Sequence, residues 1–124
     1  MSHVRLDDAR TTETPAATMR TYASPTMPVR ADVAVWRTEM AAGASGPLHA
    51  VDTDQVVVVI RGGLSAEIDG QSCQVPAGDS VVLPAGVQRR LTAGEAGLVT
   101  LTASMPAATA RVGEGDPVPV PWTR

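Results

Sequence analysis

The stretch QVVVVIRGGLSAEIDGQSCQVPAGDSVVLPAG, residues 55–86, decides the fold. Its opening, QVVVVIRG, is short, apolar and dominated by valine. Length and β-branching both favour a strand over a helix. LSAEIDGQSCQV then turns back on itself at Asp69-Gly70, a pair suited to a type I′ turn because both central residues of that turn need positive φ. PAGDSVVLPAG sets a turn, a short strand and another turn in succession.

The same pattern extends outward on both sides. ADVAVWRTEM, residues 31–40, mixes polar and apolar side chains at period two and reads as a strand, followed by the turn-forming loop AAGASGP. RRLTAGEAG and LVTLTAS, residues 89–97 and 98–104, read as a closing pair of strands. The tail DPVPVPWTR alternates proline with other residues; proline lacks the N–H a central strand needs, so this segment reads as an edge or a surface strap, with Trp122 anchoring it on apolar surface. Residues 1–30 are rich in Thr, Ala, Pro and Asp and lack a clear period. They read as an N-terminal arm carrying one short strand near Met19–Ala23 and ending at Pro25 and Pro28. No segment holds helical spacing over three turns. The expectation is an all-β sandwich or small barrel over residues 31–124, preceded by the arm.

Composition narrows the function. At 124 residues the chain is one domain's worth, with 44% apolar and 19% charged residues, as in a globular protein. A net charge of −3 supplies no basic footprint for nucleic acid or an anionic membrane, so neither is expected as a partner. The N-terminus, MSHVRLDDARTTETP, has no continuous apolar stretch for a signal sequence, and no run reaches the ~18 apolar residues of a membrane span; a cytoplasmic protein is expected. Cys73 is the only cysteine. It can form neither an internal disulfide nor a thiolate cluster and reads as a half-buried strand residue. His3 falls in the arm and reads as a solvated surface residue.

The spacings of two segments carry a resemblance. Gly43, His49, Val51, Gln55 and Gly62 stand at the spacing of the first cupin motif, G-x5-H-x-H-x3,4-E-x6-G. Gly78, Pro84, Gly86, Arg89 and Ala93 stand at that of the second, G-x5-P-x-G-x2-H-x3-N, with the Asp69-Gly70 hairpin between. Over residues 33–104 the chain resembles the cupin family, which implies a double-stranded β-helix, or jelly-roll barrel. In that family two histidines, a glutamate and a third histidine converge on one metal ion inside the barrel. Carried over by position, those four are His49, Val51, Gln55 and Arg89. Val51 has no lone pair, Gln55 offers a neutral amide oxygen, and Arg89 brings a permanent positive charge. At ~4 Å and an effective dielectric of about 20, that charge repels a cation by roughly 4 kcal/mol per unit of metal charge. No cofactor is therefore expected; a metal, if held, would rest on His49 with Gln55. Asp52 and Asp54 have the opposite strand parity to His49 and point out, unless a loop breaks the alternation.

The same parity places His49, Val51, Gln55, Val57, Val59, Arg89 and Leu91 inside, with Trp36, Thr38 and Met40 added from the preceding strand. A parity slip of one residue would exchange Arg89 for Arg90. The expected site is an apolar cavity with a few polar groups, the usual makeup of a small-molecule site. Arg89 would grip an anionic or carbonyl-bearing ligand with His49 as acid or base, or would pair with a carboxylate such as Glu39 or Glu67 beside a hydrogen-bonded His49. The leading reading is a metal-free binder of a small organic ligand. One alternative is an enzyme, either a metal-free isomerase, epimerase or cyclase using His49 and Arg89, or a metal-dependent oxygenase with unusual ligands. The other is a structural or assembly role.

The valine run adds a partner. With Val57 and Val59 inside, Val56, Val58 and Ile60 face out, where a one-sided sheet would carry polar residues. The arm, the tail or a second subunit must cover them. Cupins commonly pair through such a face, so the resemblance implies a homodimer through the outer face of the Val56–Ile60 strand.

Overall fold

A computed structural model describes residues 2–124. Ten strands follow in order: β1 Arg10–Glu13, β2 Thr18–Ala23, β3 Ala34–Met40, β4 Ala50–Val51, β5 Gln55–Ile68, β6 Gln71–Pro76, β7 Ser80–Leu83, β8 Arg89–Ser104, β9 Thr109–Arg111 and β10 Val118–Pro119. The main sheet has the order β1-β2-β3-β8-β5-β6, and β7 pairs with the first half of β5. A small second sheet has the order β10-β9-β4. All pairings are antiparallel. The all-β expectation holds.

The hairpin at the centre forms as its sequence dictates. Ile68 pairs with Gln71, and Asp69 and Gly70 take φ of 50° and 79°. Both values suit a type I′ turn. The residues around it behave differently from expectation. RRLTAGEAG and LVTLTAS are one strand, β8, and β5 runs unbroken from Gln55 to Ile68. Their pairing shifts register between Val59 and Arg61 and again between Gly62 and Leu64. Gly62 and Gly97 absorb the bend, at φ 81° and 80°. A Cβ at Gly62 would lie 2.0 Å from the Gly97 carbonyl oxygen, so no larger residue fits. Glycines that read as strand ends are thus bulges inside long strands.

The arm is a second correction. Residues 10–23 form a hairpin that extends the main sheet beyond β3, closed where the Thr14 N–H donates to the Ala17 carbonyl at 2.9 Å. Its edge strand, RTTE, is polar at both its half-buried and its exposed positions, which hides the period from a hydrophobicity reading.

The tail is the strap expected. β10 lies at a sheet edge and leads into a 3-10 turn at Pro121–Thr123. Trp122 packs against the Met19, Ala34 and Trp36 cluster. Thr21 Oγ1 donates to the Trp122 carbonyl at 2.9 Å, and Arg10 Nη2 donates to that of Arg124 at 2.7 Å. The main core is filled by Val57, Val59, Leu64, Ala66, Val75, Leu83 and Leu98. Val56, Ile60 and Val82 are 43%, 51% and 55% exposed, so neither the N-terminal hairpin nor the tail covers the outer face.

Candidate functional site

A cavity of about 660 Å³ takes its walls from β3, β5 and β8 of the main sheet and from β4, β9 and β10 of the small one. His49, Val51, Gln55, Trp36 and Met40 all line it, and so do Thr38, Val57 and Leu91. Arg89 does not. It is buried to 1% exposure and lies behind the wall, where its guanidinium reaches the two polar side chains in front of it. Arg89 is the inward residue of its pair; Arg90 is on the surface, 3.6 Å from Glu67.

The environment of Arg89 is unusual for a buried charge. Its Nη2 donates to Gln55 Oε1 at 3.0 Å, and its Nε donates to His49 Nε2 at a long 3.5 Å. Nη1 is buried with no hydrogen-bond partner. The carboxylates expected as partners are engaged elsewhere: Glu39 with Arg20 at 2.6 Å, and Glu67 with Arg90. A guanidinium so placed has lost its water and gained no counter-charge. Burial pushes its pKa down to about 10, and the group stays charged at neutral pH.

His49 is held by its backbone and its ring. Its N–H donates to the Arg89 carbonyl at 3.0 Å and its carbonyl accepts from the Arg89 N–H at 2.7 Å, so the two residues bridge across the barrel wall. Ring Nδ1 lies 2.8 Å from the Pro47 carbonyl, which can only accept, so Nδ1 carries the proton. Nε2 is then a lone pair facing Arg89, itself only a donor. Burial lowers the His49 pKa, and the Arg89 charge lowers it further against the opposing pull of the Pro47 carbonyl. His49 is therefore a neutral imidazole at pH 7. The Gln55 amide is oriented by the same logic: its oxygen faces the guanidinium, leaving its Nε2 donors for other partners.

Three further placements bear on the expected site. Asp52 accepts from the backbone and hydroxyl of Thr109, and Asp54 from the Ala85 N–H; both carboxylates staple loops outside the cavity. Cys73 is exposed rather than half-buried, because β6 is an edge strand with one buried side chain, Val75. His3 is exposed as expected. Thr100 and Thr102 line the cavity and escaped the sequence reading, although the alternation in LVTLTAS carried the signal. The 14–17 turn and the prolines of the tail also line it, and nothing in their sequence announced that.

Residues 36–103, more than half the chain, match the family model described as a cupin domain. The chain belongs to the cupin family. The fold of this cupin is a jelly-roll β-barrel, and solved structures agree. An oxalate decarboxylase from Bacillus subtilis superposes with a TM-score of 0.70 at 21% identity, covering 81% of this chain and 28% of its own. KdgF from Halomonas sp. gives 0.68 at 20% identity, covering 81% of this chain and 88% of its own. A sugar phosphate isomerase of the cupin superfamily from Silicibacter pomeroyi gives 0.70 at 19% identity, covering 92% and 83%. This cupin spans about 28% of the decarboxylase's length. No curated protein matches it by sequence. At these identities the likeness establishes the fold alone.

The metal of other cupins does not fit this donor set. Val51 supplies no donor atom, and the Gln55 oxygen already accepts from Arg89. The guanidinium stands between His49 and Gln55, at the point where a cation would need both. Among the described residues, no three His, Cys, Asp or Glu side chains come together. The fixed charge of this barrel is an arginine.

Proposed function

We propose that this cupin binds a small organic carboxylate or carbonyl compound in its barrel without a metal ion. The observation that carries this reading is the buried, carboxylate-free Arg89 hydrogen-bonded to Gln55, which lines the cavity. Because Arg89 fixes the Gln55 oxygen, the amide presents its donors to an acceptor on the ligand. At about 6 Å and an effective dielectric of about 20, a carboxylate there gains roughly 3 kcal/mol from the guanidinium. Binding is favoured over catalysis by the state of His49: its one lone pair is turned to Arg89 and accepts from it, and no second titratable group lines the cavity. The test is calorimetry against a panel of carboxylates and ketones in the presence of chelator. Saturable binding is expected, weakened at least about tenfold by Gln55→Leu, since a hydrogen bond to a charged group contributes about 1.5–3 kcal/mol. Binding that requires added metal would overturn the reading.

Two further features belong to this proposal. No helix among the described residues is long and apolar enough to cross a membrane, and the location proposed is the cytoplasm. The second is a twofold homodimer through the exposed outer face, where Val56 lies between Val82 and Ala103, and Val58 beside Leu101. Light scattering at micromolar concentration is expected to give a dimer mass, and Val56→Asp a monomer. A monomeric parent protein would sink the dimer while leaving the binding reading intact.

A further inference from the structure

The cavity wall contains no Asp, Glu, Lys or Arg. Its one titratable residue, His49, is held neutral by burial beside Arg89. Its polar side chains are few: besides His49 and Gln55, they are the hydroxyls of Thr14, Thr38, Ser45, Thr100 and Thr102. The positive charge sits one layer behind, reached only through Gln55 and His49. A doubly charged ligand would leave its water for a wall with nothing to replace it.

The rim points the same way. Val112 and Val118 line the cavity yet are 59% and 57% exposed, and Pro15, Pro47 and Pro119 complete an apolar mouth with no charged neighbour in the wall. The wall also includes the indole of Trp36, buried with Met19 and Ala34. One amide, oriented by the buried charge behind it, thus stands in a large space whose wall is mostly apolar.

We infer that the ligand is amphipathic: a single carboxylate or carbonyl head at Gln55, carried on an extended apolar body that reaches Val112 and Val118. This inference rests on the proposed function and names its ligand class. A short acid would use the head site and leave most of the 660 Å³ cavity facing water. A monocarboxylate of eight to ten carbons lays its methylenes against that surface. Each methylene moved from water to an apolar wall is a gain of about fourfold in affinity.

The experiment titrates hexanoate, octanoate and decanoate, with oxalate and glucose 6-phosphate, into the full chain in chelator, below micelle-forming concentration. Affinity is expected to rise about sixteenfold for each added pair of methylenes, and oxalate and glucose 6-phosphate to give no saturable binding. Val118→Asp, at an exposed position, is expected to weaken decanoate about tenfold while leaving hexanoate unchanged. Val56→Asp on the outer face is expected to change neither, which separates the cavity from adsorption to surface valines. Tighter binding of oxalate than of octanoate would overturn the amphipathic assignment while the metal-free binding reading survives. No saturable binding of any carboxylate or ketone would overturn both. Loss of decanoate binding in Val56→Asp alone would place the acid on the outer face and overturn the inference.

Discussion

The triple variant Val51→His, Gln55→Glu, Arg89→His is expected to bind a divalent transition metal far more tightly than the parent chain does. The three positions already face inward: Val51 is 3% exposed, Gln55 7% and Arg89 1%. His49 stands beside them, its ring 3.5 Å from the Arg89 side chain. The exchange removes the guanidinium and its repulsion, and supplies two imidazoles and a carboxylate to join the existing imidazole. Equilibrium dialysis against Ni2+ or Zn2+ followed by metal analysis is expected to give one ion per chain. The gain in affinity over the parent is expected to be at least about a thousandfold, or roughly 4 kcal/mol. Arg89→His alone removes the repulsion but adds only one ligand, so it is expected to bind weakly. A folded triple variant without metal would show that the four positions do not converge. Tight binding by the parent would show that Arg89 does not exclude a cation.

The second large effect is a gain in stability together with a loss of function. Arg89→Met is expected to stabilise the fold by about 1–4 kcal/mol, the range seen when buried charges give way to apolar side chains of similar volume. The sign follows from the guanidinium pKa, which burial lowers to about 10 in the fold. The unfolded chain holds the proton more tightly, so keeping the charge buried costs stability at every pH below about 10. That cost is relieved only as pH rises above about 10. At about 1.4 kcal/mol per tenfold, it amounts to roughly 3 kcal/mol. Urea unfolding at pH 7 measures the gain, and calorimetry with octanoate is expected to show affinity lost about tenfold or more. A destabilised Arg89→Met would make Arg89 a structural residue and sever it from the ligand. Positions that weaken a fold while serving its site are where stability and activity trade against each other.

Much of the barrel was legible because its signals are local. Asp69-Gly70 fixed a turn through the φ it requires, and alternation from Gln55 to Val59 told which side chains face inward. The Arg89 partner was not legible, and the bulges explain why. Counted from Gln55, Glu67 has inward parity. The register shift between Val59 and Arg61 puts one extra residue in β5 and inverts its alternation, so Leu64 and Ala66 turn in and Glu67 turns out, directly opposite Arg90. Glu39 is lost differently, to Arg20 on β2, whose sequence reads as part of an arm. The cavity mouth lay beyond the sequence reading because it is assembled by prolines and valines from distant loops, none of which shows a pattern alone.

The tail that closes this mouth couples the cavity wall to a segment far away in sequence. Trp122 is tied to Thr21, and Arg124 to Arg10, across 101 and 114 positions of chain. Loosening the β1–β2 hairpin would therefore also free the wall formed by residues 118–122, so two distant segments answer together for one cavity.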